Sequence, residues 1–590
     1  MPIMKKIIGI APAAAVGMLL LAACSTPGGD PAPQASKIAE QPAAVPPPPL
    51  LPPPPPVSPV QISGSRAMGG AADARIAMEQ LAKSAAPAHS YLPGMPTPMP
   101  HFTVLPRAGE KFPDKDANKA VLVSEQPVST FSVDVDTASY AFMRRMLSGG
   151  RMPPLRSVRV EEMVNYFPYK YPAPAKASEP FAVTTEVMPS PWQPGNQLVH
   201  IALKGYDIKS AERPRANVVL LVDVSGSMEP RDRLPLLQQG FRLFAQQLRD
   251  DDMVSIVTYA NGTAVALEPT SGKEKQKIID VIDNLQASGG TAGGDGLQRA
   301  YAQAERNFDP KAVNRVILAT DGDFNIGITD PKQLEKFVTD KRKSGVYLSV
   351  FGVGLGNLND ALIQRLTQSG NGNAAYIDTL LEARKALSQE LGSTMFPIAN
   401  DVKVQVEFNP AQVAAYRLVG YETRMLERQD FKDDKVDAGD MGAGHTVTAI
   451  YEITPASSAG KLVDPLRYAQ PANDNARPAA AGKGDELCFV KVRYKLPGQS
   501  ASKQVEHPVR AASARKSLDA APDDQRFAVA VAAFGQRLRG EQQLADFGYG
   551  EIAKLADGAR GADPDGYRAE FVKMVRMAES LGAVGATAQR

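Results

Sequence analysis

Five oxygen-bearing side chains stand in three short motifs of this sequence. Asp223, Ser225 and Ser227 lie in Asp223-Val-Ser-Gly-Ser227-Met, Thr291 lies in Gly289-Gly-Thr291-Ala-Gly-Gly294, and Asp321 lies in Thr320-Asp321-Gly322. Two carboxylates and three hydroxyls make a donor set of oxygen alone, which suits a hard cation such as Mg²⁺ or Ca²⁺ and would not select zinc. The glycines let the three loops approach one another closely. Each motif by itself is ordinary turn or helix-cap chemistry, because Asp and Ser readily bond to nearby backbone. Three of them in order within one domain are what point to a metal site.

Such a site needs a scaffold that brings separate loops together. Between about residues 214 and 395 short apolar runs alternate with amphipathic stretches, which predicts a mostly parallel sheet covered by helices on both faces. Val218–Val222, Met253–Thr258, Val316–Ala319 and Val346–Phe351 read as buried strands. Leu234, Leu237, Phe241, Phe244 and Leu248 recur at three and four residues and give one apolar helical face. Gly345 stands where a glycine ends a helix. Two of the three motifs follow strands and the third precedes a helix, so all fall at the carboxyl edge where open α/β sheets hold ligands.

Asp-x-Ser-x-Ser, a loop threonine and Thr-Asp-Gly at this spacing resemble the metal-ion-dependent adhesion site of von Willebrand factor type A domains. The resemblance implies a Rossmann-like α/β fold and a divalent metal, Mg²⁺ foremost, with Ca²⁺ or Mn²⁺ as alternatives. It implies that Ser225 and Ser227 ligate the metal directly, that Asp223 and Asp321 act largely through water, and that Thr291 joins depending on state. An acidic side chain of a partner protein then completes the coordination. Asp295 and Asp323 lie close in sequence to Thr291 and Asp321 but are left out of the site, as solvated loop residues or, for Asp295, a helix N-terminal charge.

The flanks read differently. Phe131-Ser-Val-Asp-Val-Asp136 alternates like a half-exposed strand, Ala138–Leu147 reads as a helix, and Phe181–Ile208 holds antiparallel strands broken by Pro189, Pro191 and the Pro194-Gly195 turn. After Phe396, Val402–Phe408, Thr446–Tyr451 and Leu487–Val492 alternate with period two. Strand signals on both sides of the α/β domain predict that the flanks pair into one β-rich subdomain. Residues about 521 to 582 read as helices, with Phe527, Val531 and Phe534 on one face and Phe571, Val575 and Ala578 on another. Phe131–Tyr140 and Val160–Phe167 resemble the N-terminal region of bacterial envelope lipoproteins of the YfbK type, and the C-terminal region resembles their companion domain.

The amino terminus carries an address. Lys5 and Lys6 precede an apolar stretch, Ile7–Leu21, too short to span a membrane stably, as in a signal peptide. It ends in Leu21-Ala22-Ala23-Cys24, which resembles a lipobox, with Cys24 as the lipidated residue; Ser25 after it implies the outer membrane. Pro46–Pro56 and the Pro/Ala-rich sequence around it form a tether, and at about 3.1 Å per residue the proline run projects roughly 30 Å. The expected organisation is therefore a signal peptide over 1–24 and a disordered tether over 25–120. A β-rich flank over 121–213, the α/β domain over 214–395, a β-rich domain over 396–515 and helices over 516–590 follow. Cys488, the other of two cysteines, falls in a strand-like run and should pack as a small hydrophobe.

The whole chain of 590 residues has a net charge of +2, which offers no field for nucleic acid. Five scattered histidines make no His-Glu-x-x-His pair, and neither a Gly-x-Ser-x-Gly elbow nor a Gly-Lys-Ser/Thr loop occurs. Ser513-Ala-Arg-Lys516 stands without companion motifs, and Asp134-Val-Asp136-Thr137 departs from the aspartyl phosphatase pattern at Ala138, which favours a strand with solvent-facing Asp. The expectation is a binding protein and not an enzyme. A structural envelope protein with a stabilising metal, or a metal-dependent hydrolase, are the alternatives.

Overall fold

The computed structural model describes residues 110–588 except 134, 177, 210–211, 291–294, 323–329, 357, 390–394 and 459–483. Cys24, the proline run, Thr291 and Asp323 lie outside the described residues.

A six-stranded sheet forms the centre of the α/β domain. Its strands lie in the order Ala374–Ile377, Val346–Val353, Val313–Thr320, Ala216–Asp223, Met253–Tyr259 and Thr263–Ser271, all parallel except the last. The central strand, Ala216–Asp223, is buried throughout. Val218, Leu220 and Val222 face one core and Val219 and Leu221 the other, as the two-residue period of a strand requires. Helices Leu234–Gln247 and Lys275–Asp283 cover the first face through Phe241, Phe244, Ile278 and Ile282. Helices Gly296–Arg306, Pro331–Lys343 and Asp360–Ser369 cover the second through Leu297, Tyr301, Leu334, Val338 and Ile363. Gly345, at φ +91°, follows the end of Pro331–Lys343 in the left-handed conformation that a side chain would strain.

Strands from the two flanks share sheets. One sheet runs Val121–Leu122, Val413–Val419, Thr446–Pro455, Gln197–Gly205, Phe181–Pro189. The other runs Met441–Gly442, Pro397–Phe408, Glu486–Lys495, Ser502–Arg510, with Val128–Ser132 also paired to Pro397–Phe408. Val187, Val199 and Ile201 from the first sheet and Val404, Val490 and Val492 from the second enclose a common core. Cys488 is buried in it as a free thiol. The α/β domain is thus inserted into a sandwich, and its entry and exit meet where the Arg213 guanidinium lies 5.3 Å from the centre of the Phe396 ring.

The N-terminal flank departs from its sequence pattern. The strand expected over Phe131–Asp136 runs instead over Val128–Ser132 and is buried on both faces, not half-exposed, because its polar residues have partners inside: Gln405 donates to Thr130 Oγ1 and Tyr451 bonds Ser129. Asp136 is not solvent-facing either. It is buried, accepting from the Ala374 amide at 2.7 Å and from Arg424 at 2.8 Å, and so ties the flank to the edge strand of the α/β sheet. Residues 110–120, which the composition assigns to the tether, are seated on the fold: the Lys111 amide donates to Leu358 O and Asn118 Nδ2 donates to Gly420 O.

Helices Asp523–Leu538 and Tyr567–Ala588 pack through Phe527, Phe534 and Phe571, whose rings lie 5.3 and 5.4 Å apart about Phe571. Buried arginine ties these layers together. Arg144, in helix Ala138–Ser148, bonds Asp378 and Glu382 of the α/β domain, Glu570 of the last helix and the Tyr166 hydroxyl. Removing so many charges from water is tolerable only because each is paired.

Candidate metal centre

The site begins with register. In the parallel pair, Val222 stands opposite Ala319, so the chains leave the sheet side by side and deliver Asp223 and Asp321 to the same edge. Beyond Asp223 the chain turns through a short 3₁₀ segment, Gly226–Met228, whose Met228 side chain is buried in the core and anchors the loop. This turn brings the Ser225 and Ser227 hydroxyl oxygens to 3.0 Å from each other. The Ser225 amide donates to Asp223 Oδ1 at 2.9 Å and fixes that carboxylate.

The third loop reaches the same place. The Ser288 amide donates to Val224 O at 2.8 Å and the Gly226 amide to Gly289 O at 2.9 Å. Gly289, at φ +77°, makes the turn, and an added Cβ there would collide with the Asn261 amide, which itself accepts from the Gly290 amide. Of the five side chains named from the sequence, Asp223, Ser225, Ser227 and Asp321 come together. Thr291 lies outside the described residues, but before it Gly289 accepts from the Gly226 amide of the serine loop and Gly290 donates to Asn261. Asp295 is exposed at the start of helix Gly296–Arg306 and Ser513 bonds only the Arg510 carbonyl, so neither joins the site.

The electrostatics are those of two buried carboxylates held close together. Asp223 and Asp321 are buried to 0% and 2% exposure, yet neither Asp223 Oδ2 nor Asp321 Oδ1 has a well-formed hydrogen bond, and the Tyr259 hydroxyl stands close enough to Asp223 to favour its charged form. Buried carboxylate oxygens are ordinarily satisfied, because an unpaired one costs its full desolvation. Burial pushes the Asp223 carboxyl above its usual value, the Ser225 hydrogen bonds oppose this, and the charge of Asp321 adds to it. Among the described residues no group of three or more His, Cys, Asp or Glu side chains is placed to hold a metal ion, so hydroxyl oxygens would have to complete any donor set built on Asp223 and Asp321. Two orphaned carboxylate oxygens beside a pair of hydroxyls fit a hard divalent cation.

One member of the site was missed by counting oxygens. Arg233 Nη1 bonds both Asp321 Oδ2 and, at 2.6 Å, the Ser227 carbonyl, while Nη2 donates to Leu355 O. A signal for it existed in the sequence. Arg233 immediately precedes helix Leu234–Gln247, whose N-terminus repels cations, so an arginine there needs an anion of its own.

Family comparisons divide the chain along the same lines. Residues 106–200 match a family described as "von Willebrand factor", residues 217–390 match "von Willebrand factor type A domain", and residues 393–581 match "Uncharacterized protein YfbK, C-terminal". The protein named "Uncharacterized protein YfbK" from Escherichia coli (strain K12) is 45% identical over 472 residues, covering 79% of this chain and 80% of its own. Inter-alpha-trypsin inhibitor heavy chain H2 from Homo sapiens is 26% identical over 186 residues, 29% of this chain and 19% of that protein. A solved structure, "von Willebrand factor type A from Catenulispora acidiphila", is 18% identical with a TM-score of 0.37, covering 67% of this chain and 89% of its own. The identity to the Escherichia coli protein along most of both sequences settles the relationship: this chain belongs to the YfbK family, with a von Willebrand factor type A domain set between its flanking regions.

Proposed function

We propose that the chain is a metal-dependent protein-binding module of the bacterial cell envelope. The observation that carries this reading is the pair of buried, unsatisfied oxygens, Asp223 Oδ2 and Asp321 Oδ1, next to the Ser225 and Ser227 hydroxyls. Such an arrangement costs stability in the absence of a cation, and folds keep costs of that kind where they serve a site. Asp223, Ser225, Ser227, Asp321 and Thr291 are the residues that would hold a divalent cation, Mg²⁺ foremost. When bound, such a cation supplies a Lewis-acid position open to a carboxylate of a partner protein. The chain's own part is to orient the acceptors: the Ser225 amide fixes Asp223, the Gly226–Gly289 contact holds two loops together, and the buried Met228 keeps the serine turn rigid.

Cys24 would carry the lipid and the Pro-rich tether would hold the folded part away from the membrane, facing the periplasm from the outer membrane. This placement rests on the lipobox-like Leu21-Ala-Ala-Cys24 alone.

The test is capture. Purified protein incubated with an envelope extract should retain a partner in Mg²⁺, and should lose it with chelator or in Asp223→Ala. Turnover of an ester or phosphate substrate that disappears in Asp223→Ala would replace this reading with a hydrolase. Metal-dependent melting with no metal-dependent partner would replace it with a structural role.

A further inference from the structure

Arg233 occupies a built position at the site. Its side chain is 15% exposed, and the guanidinium bridges three loops, bonding Asp321 from one, the Ser227 carbonyl from its own and the Leu355 carbonyl from a third. The slot around it is cut to size. Gly354 sits at φ +72°, and a Cβ added there would stand 2.4 Å from Arg233 Nε. The Gly354 carbonyl is itself held by the Tyr376 hydroxyl. On the other side, the adjacent Asp232 is paired with Arg145 of the N-terminal flank, so Arg233 has Asp321 as its carboxylate and not its own neighbour.

This placement sets a charge balance. Asp223 and Asp321 offer two negative charges to a divalent cation, and Arg233 cancels one of them in a largely buried setting, where solvent screens little. A guanidinium is always charged, so the cancellation is permanent and does not depend on pH. Asp321 Oδ2 is engaged by Arg233 while Oδ1 stays without a partner, so the same carboxylate serves both the resident cation and the candidate metal position.

Resting on the metal-site reading above, we infer that Arg233 is the site's internal counter-ion: it holds Asp321 in the metal-free protein and opposes a divalent cation there, keeping metal affinity low enough to respond to supply. The purified full chain is titrated with Mn²⁺ and free Mn²⁺ is read by electron paramagnetic resonance, for wild type, Arg233→Gln, Arg233→Met and Arg233→Lys. Removing one positive charge at this distance should tighten Mn²⁺ binding by about tenfold or more in the Gln and Met variants. Arg233→Lys, which keeps the charge, should stay near wild type. In the metal-free state the Gln and Met variants should melt below wild type, since Asp321 loses its partner.

A role confined to folding would lower melting temperature without tightening Mn²⁺. Equal or weaker Mn²⁺ binding in folded Arg233→Gln and Arg233→Met therefore overturns the inference while leaving the metal site intact. Failure of both variants to fold also counts against it, by assigning Arg233 to the architecture. If folded wild type and variants alike take up no Mn²⁺, the metal-site reading itself fails.

Discussion

Ser225 and Ser227 hold their hydroxyl oxygens 3.0 Å apart, two residues from each other on a turn pinned by the buried Met228. The pairing places two hydroxyl oxygens side by side at the rim of the sheet, as the proposed metal site needs. Five consequences of this site and of the surrounding fold can be measured.

Asp223→Asn should stabilise the metal-free protein by about 1–2 kcal/mol, because an amide retains the acceptor used by the Ser225 amide and replaces a buried, unsatisfied charged oxygen with a donor. The same substitution should abolish any rise in melting temperature on adding Mg²⁺. Calorimetry with and without Mg²⁺ decides it, and a metal-free variant less stable than wild type would refute the assignment of Asp223 Oδ2 as an unsatisfied group.

Ser227→Ala should weaken Mn²⁺ binding by about tenfold, as expected for one lost oxygen ligand or its equivalent second contact. The partly exposed serine contributes little else, so the urea midpoint should barely move. Unchanged Mn²⁺ affinity would remove Ser227 from the donor set.

Gly354→Ala forces a side chain into the left-handed region and against Arg233, and should cost at least about 1–2 kcal/mol of stability. By displacing the guanidinium it should also shift Mn²⁺ affinity in the same direction as Arg233→Gln. Weaker binding would mean that the slot positions the ligands and not the counter-ion.

Arg144→Met should destabilise the protein by about 3–5 kcal/mol, since it takes the guanidinium away from the buried Asp378 and Glu382 and leaves Glu382 to the neutral Tyr166 hydroxyl. Urea titration measures this, and a loss below about 1 kcal/mol would show that the network is dispensable to the contact between flank and α/β domain.

His200 supplies the pH test. It is fully buried in strand Gln197–Gly205, bonded to the Tyr171 hydroxyl, and burial lowers its pKa from 6.5 to about 4. The unfolded chain therefore binds a proton before the folded one does. Stability from this group is complete above pH 6.5 and is lost as pH falls toward 4, on the order of 3 kcal/mol. The stability difference between wild type and His200→Gln should shrink across that window; a difference flat in pH would show that His200 does not titrate as described.

How much of this could be read from the sequence depends on how local the signal is. The four strands of the α/β domain named from apolar runs were found within a few residues, because a strand buried on both faces must be apolar throughout, as Val218–Val222 is. Thr263–Ser271 escaped notice: it is the antiparallel edge strand, most of its residues are only partly buried, and its composition carries no strong apolar run. Phe131–Asp136 reads as a half-exposed strand because the partners that satisfy Asp136, the Ala374 amide and Arg424, lie far away in sequence. The oxygen donors were legible by type and spacing. For Arg233 the sequence signals only a cation at a helix start in need of an anion; which anion was not legible, since that comes from a contact across 88 residues and from the space that Gly354 leaves.

The meeting of Arg213 with Phe396 bears on how the molecule assembles. Thr130 and Gln405, which face each other on paired strands of one sheet of the sandwich, are 275 positions apart, and closing so long a loop from an unfolded chain is slow. Once the inserted domain has folded, its two ends sit together and the intervening chain no longer counts toward that closure. The insertion should therefore mature first and act as a clasp that presents the two halves of the sandwich to each other. A chain cut short before Pro397 would keep its clasp and have nothing to fasten.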